Sequence, residues 1–133
     1  MRFSGLLLRL CLTFLLLVSC SGSNQTPANT PARPVDEQAA LNVMKEINRA
    51  QADFIRRTRR YAQTTQELID DRLLDPEPVA EGYRIRMVPS PDAVSYTVEA
   101  APVDDSGRHF FTDKTGIIRA EAGKPATAAS PEL

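Results

Sequence analysis

The sequence of 133 residues has no tryptophan, a single histidine, His109, and only two cysteines, Cys11 and Cys20. Zinc and similar metal sites draw several ligands from Cys and His, so this supply points away from a metal centre. No cofactor motif accompanies it. Sixteen basic residues stand against seventeen acidic ones, for a net charge of −1. That balance lacks the basic excess by which nucleic-acid-binding domains attract a polyanion, and no nucleic-acid partner is expected. A lone histidine without a serine or cysteine nucleophile signature gives no acid–base constellation, so the chain is read as non-enzymatic. An unbroken apolar run of about 20 residues, the length a membrane-spanning helix needs, is also missing, because Arg9 interrupts the run from Leu6 to Val18.

What is present begins at the N-terminus. Met1-Arg2-Phe3 followed by the Leu-rich run is the layout of a secretory signal peptide, covering 1–19. Its end, Leu17-Val18-Ser19-Cys20, resembles the lipobox of bacterial lipoproteins. That resemblance implies a cut just before Cys20, a diacylglyceryl thioether on its thiol and an acyl chain such as palmitate on the new amino terminus. The chemistry requires cysteine because a thiolate is a strong nucleophile, and two or more buried chains hold a protein on a bilayer where one barely does. Cys11 leaves with the signal and Cys20 is blocked, so neither a free thiol nor a disulfide remains for an oxidising compartment to act on. Ser21, where lipoproteins retained at the inner membrane carry Asp, resembles lipoproteins sent to the outer membrane. The expected location is its periplasmic face, with the membrane as the first partner.

Residues 20–36 contain no aromatic and no large apolar side chain apart from Val35 at the very end, too little to offset the entropy of ordering them. They read as the lipidated Cys and a disordered tether. Residues 120–133 are equally poor in core-forming side chains and read as a disordered tail. Between them, 37–119 forms the folded domain. Its first part places Ala40, Val43, Met44, Ile47, Ala50, Gln51, Phe54, Ile55, Thr58, Tyr61 and Ala62 on one face at helical spacing, with Leu41 off that face. Asp36 is the expected N-cap and the helix should run from about 37 to 62. Thr64-Thr65-Gln66-Glu67 has the form of a capping box opening a second, short helix that Pro76 and Pro78 end. From Gly82 the period changes to two. Tyr83–Val88, Tyr96–Ala100 and Arg108–Thr112 read as antiparallel strands, and Asp113-Lys114-Thr115-Gly116 as a reversal into Ile117-Ile118-Arg119. Helices followed by strands predict an α+β domain, a long N-terminal helix packed on a small antiparallel sheet. Ile85 and Val98 are expected on the face that meets it.

Several fragments of this domain are similar to the soluble heads of type IV pilin-like proteins and major pseudopilins of type II secretion. They are Ile47–Phe54, Glu67–Pro76, Gly82-Tyr83, Tyr96–Pro102 and, most specifically, Phe110-Phe111-Thr112-Asp113-Lys114-Thr115-Gly116-Ile117-Ile118-Arg119. The resemblance implies a pilin-like head and an envelope protein partner, linked to a pilus or a secretion system. Those families open with a Gly and a Phe-Thr-Leu-x-Glu type run that starts a hydrophobic, polymerising helix. Here a lipidated Cys and a Pro-rich tether stand in its place, so the head is expected to be monomeric.

Three groups of residues are candidate sites. Lys45, Arg49, Arg56 and Arg60, with Arg59 beside them, form a basic helix face that would suit an anionic lipid headgroup or glycan. The same pattern also suits a solvated face partly neutralised by Glu46 and Asp53. Asp104, Asp105 and Asp113 flank the third strand, where some of the pseudopilins resembled hold Ca²⁺, yet their spacing matches no recognised calcium loop and suits turn-forming aspartates better. His109 and Phe111 should face away from the core while Phe110 faces into it.

Overall fold

The structure, a computed structural model, describes residues 36–76, 80–104 and 106–133. The expected signal peptide over 1–19, Cys20 and the expected tether up to residue 35 therefore lie outside the described residues. Helix α1, Glu37–Thr58, opens where expected: the Asp36 carboxylate accepts a hydrogen bond from the Ala39 amide at 2.9 Å, satisfying one of the free N–H groups of the first turn. Of the expected face, Ala40, Val43, Met44, Ile47, Ala50, Gln51 and Phe54 are buried, whereas Ile55 is only half-buried and Thr58, in the last turn before the chain reverses, is exposed. Among the described residues no helix is long and apolar enough to cross a membrane.

The helix stops four residues short of the expected end at 62. Arg59 adopts a left-handed conformation (φ 65°), its amide donating to the Ile55 carbonyl. Gln51 explains the break. Its side-chain oxygen accepts from the Ala62 amide at 2.9 Å and its nitrogen donates to the Ala62 carbonyl at 3.1 Å. A continuous helix would carry residue 62 about 16 Å along the axis from residue 51, so the chain must double back for both bonds to form. Tyr61 and Ala62 do reach the core, as their apolar character requires, but on a returning loop. The Tyr61 ring lies 5.0 Å from Tyr96 and its amide donates to Ala93.

Helix α2, Thr65–Asp70, is capped by Thr64, which accepts from the Glu67 amide at 3.2 Å. The Glu67 carboxylate reaches back to the Gln63 amide, one residue before the expected partner. Pro78 lies outside the described residues, and Pro76 is not what ends this helix, which closes at Asp70. The Leu68 carbonyl collects the amides of both Leu73 and Leu74, and Arg72 turns left-handed at φ 58°. Buried Leu74 thus reaches the core from a turn.

Four strands, β1 Tyr83–Pro89, β2 Tyr96–Pro102, β3 Arg108–Asp113 and β4 Arg119–Ala122, form an antiparallel meander in sequence order. The register aligns Ile85, Ala100, Phe110 and Ala120 across all four strands, with Met87, Val98 and Thr112 in the next row. These rows face α1, so the α+β arrangement of a helix on a small antiparallel sheet is present. Asn48 pins the two layers together, accepting from the Tyr96 hydroxyl and donating to Thr112, each at 3.0 Å. At the N-terminal end of α1, Glu37 takes the Arg108 guanidinium at 2.8 Å and the Arg108 amide at 3.0 Å.

The expectation of a disordered tail from 120 does not hold. Residues 120–122 belong to β4, and the chain then returns along its outer edge. The Ala120 amide donates to Pro131, the Leu133 amide donates to Ile118, and Arg119 and Glu132 pair as an isolated bridge. Ala126 and Ser130 are buried. Side-chain composition misses this segment because it is held by backbone hydrogen bonds to a strand edge that would otherwise stay unpaired, together with polar side-chain bonds from Arg119 to Ser130 and Glu132 and from Ser130 to Glu121.

Candidate functional site

The four basic residues picked out by sequence stand in different surroundings. Lys45, Arg49 and Arg56 are exposed along the outer crest of α1. Lys45 borders a hollow shared with Leu41, Ile117, Ile118, Glu132 and Leu133. Arg49 borders a different one, on the opposite flank, among Glu46, Asp53, Arg72 and Asp75. Arg56 is ion-paired with Asp53. Arg60 lies past the end of the helix. It donates to Glu67 at 2.8 Å and sits 5.2 Å above the Phe54 ring, holding the Glu67 carboxyl below its ordinary range through that bond. Arg60 therefore serves the junction between the helices, and the four cations do not converge on one point.

The acidic loop residues are occupied locally. Asp104 accepts from the amide and hydroxyl of Ser106, bonds that hold its carboxyl below the usual range. Asp113 accepts from the amide and hydroxyl of Thr115 at 2.8 and 2.6 Å. Both are turn-forming contacts. Asp105 lies outside the described residues. Among the described residues no three His, Cys, Asp or Glu side chains are grouped so as to hold a metal ion. Phe110 is buried, whereas His109 and Phe111 lie half-buried on the sheet face away from α1, with His109 opposite Glu121 in the register.

A feature the sequence reading does not anticipate runs along one flank of α1. The β3–β4 turn and the returning C-terminal segment stand beside the helix and leave two open hollows of about 540 and 510 Å³. The first is lined by Leu41, Lys45, Ile117, Ile118 and Leu133, and the second by Asn48, Ala52, Ile55, Arg56, Tyr61, Tyr96 and Lys114. They meet at Gly116. The second is floored by the Tyr61–Tyr96 ring pair. Burial pushes the Tyr96 hydroxyl well above its ordinary value, keeping it a proton donor to Asn48. Ile117 is 40% exposed and Leu133 59%. The one sequence signal for this groove was Leu41, an apolar residue off the core face. Its other wall depends on a tail that composition gave no reason to place there. No family model, curated protein or solved structure matches this chain.

Proposed function

We propose that this chain is a bacterial envelope lipoprotein, anchored through Cys20, whose head acts as a non-enzymatic protein-interaction module of pilin-like type. The observation that carries the reading is the lipobox Leu17–Cys20 at the end of a signal-like run, followed by a short polar tether and a head that begins abruptly at a capped helix. The sixteen residues 21–36 span about 22 Å as a flexible coil and at most about 55 Å extended. The head is thus held within a few nanometres of the lipid surface, on the periplasmic side of the outer membrane by the Ser21 criterion. The head fragments similar to pilin-like proteins and major pseudopilins suggest a pilus or secretion assembly as the source of partners. The alternative, binding of an anionic lipid or glycan by Lys45, Arg49, Arg56 and Arg60, is less well supported because Arg56 and Arg60 are already paired and Arg49 lies on a different flank from Lys45.

Labelling cells with a palmitate analogue tests the anchor. Wild-type protein should take up label, and Cys20→Ser should remain an unlabelled precursor with its signal attached. An unmodified Cys20 in the intact mass of the mature protein would end the lipoprotein reading. Mild-detergent isolation of the wild-type protein from its native envelope should bring pilus or secretion components with it.

A further inference from the structure

The groove beside α1 has a second regularity. Leu41, Lys45, Asn48, Ala52 and Ile55 line it at intervals of 4, 3, 4 and 3 residues, the spacing of a seam along which one helix packs on another. This seam borders the buried face of Ala40, Val43, Met44, Ile47, Ala50, Gln51 and Phe54, which the sheet already fills, and its half-buried Asn48 is shared with the sheet through Tyr96 and Thr112. It spans fourteen residue steps, about 21 Å along the axis. The facing wall, with Ile117 and Leu133, is formed by a turn and by the returning chain end, where the Ala120 amide of β4 and the Leu133 amide are already satisfied. Leu133 pairs its amide with Ile118, so the wall recognises side chains better than an added strand.

Charge narrows the occupant. Lys45 and Lys114 flank the groove and neither makes an ion pair among the described residues, although Asp92 lies within electrostatic reach of Lys114. Glu132, the acid on its rim, is paired with Arg119. The N-terminal residues of this chain are unsuited to fill it, because the charged residues of 1–35 are Arg2, Arg9 and Arg33, all basic. We propose that the α1 groove receives a short amphipathic helix of a partner protein, with apolar residues against Leu41, Ala52, Ile55 and Ile117 and acidic residues toward Lys45 and Lys114. The proposal rests on the reading of the head as an interaction module and gives that reading a surface and a partner chemistry.

The test uses the full chain in its native envelope with a photoreactive benzoylphenylalanine placed at Ala52 or Ile117 in the groove, or at Val88 on the opposite face of the sheet. Adducts from both groove positions should contain the same partner segment, with apolar residues at helical spacing and an excess of Asp and Glu. Val88 should give none. The double substitution Lys45→Glu with Lys114→Glu should lower the groove adducts about tenfold, as like charges replace attraction, and leave the circular dichroism of the exposed-site variant unchanged. Protein adducts from Val88 alone would overturn the groove while leaving the interaction reading intact. No protein adduct from any position would overturn both. A groove adduct with lipid, with a second copy of this chain or with a basic segment, or an adduct yield indifferent to the charge reversal, would each overturn the proposal.

Discussion

At the scale of single residues, the polar side chains that fix this head are those that close on backbone groups across the fold. Gln51 is fully buried and satisfies both backbone groups of Ala62, so it decides where the chain turns. Glu37 accepts from the amide and the guanidinium of Arg108 in β3, and its bond to the Arg108 side chain is the chief reason its carboxyl lies below the ordinary 4.5. Burial pushes the Tyr83 hydroxyl up to about 12, which keeps it a donor to the Arg108 carbonyl at 2.8 Å. Glu37 therefore gives a pH prediction. The folded state binds its proton more weakly than the unfolded chain, so its contribution is complete above about pH 4.5 and is lost as the pH falls through the lower folded-state value. Glu37→Gln should cost about 1 kcal/mol at pH 7, the upper end for a partly exposed pair. Urea melts should show the gap between variant and wild type closing below pH 4. A gap of equal size at pH 3 and pH 7 would show that the ion pair contributes nothing.

Between elements, the two edges of the sheet are treated differently. The β1 edge carries exposed Arg84 and Arg86 and ends in Pro89, features that discourage pairing with a further strand. The β4 edge is instead covered by the chain's own last residues, which also raise one wall of the groove. Arg119 joins these pieces, with two bonds to Ser130 and Glu132. Arg119→Ala should release the segment from 123 onward without unfolding the helix. Hydrogen exchange would show this as faster exchange of the Ala120 and Leu133 amides while amides of β2 keep their protection. Uniform loss of protection across the sheet would mean that the segment is part of the core's cooperative unit.

For the whole molecule, one layer of helix on one layer of sheet leaves little redundancy in the core. Phe54, 4% exposed near the C-terminal end of α1, helps join α1 to the loop that returns through Tyr61. Phe54→Ala should cost about 3–5 kcal/mol, a large share of the 5–15 kcal/mol typical of domains. Thermal melting should show the loss as a substantially lower midpoint, and an unchanged midpoint would mean that the last turns of α1 contribute little to the core.

How much of this was legible in the sequence follows from the range of the interactions involved. Local periodicity and capping chemistry determined the start of α1, its buried face as far as Phe54, the Thr64 cap and the inward and outward alternation of β1 to β3, because each depends on contacts within a few residues. The lipobox-like run Leu17–Cys20, too, is a local pattern. The end of α1, the early closure of α2, the ordered chain end and the groove were decided by tertiary structure. Gln51 reaches eleven residues ahead to Ala62, and Glu132 reaches thirteen back to Arg119. An arginine in a left-handed turn has no composition signature that separates it from an arginine continuing a helix. The basic residues were legible as a set but not as a site, since helical spacing places them on one crest and the neighbours that divide them, Asp53, Glu67 and the returning tail, come from the fold.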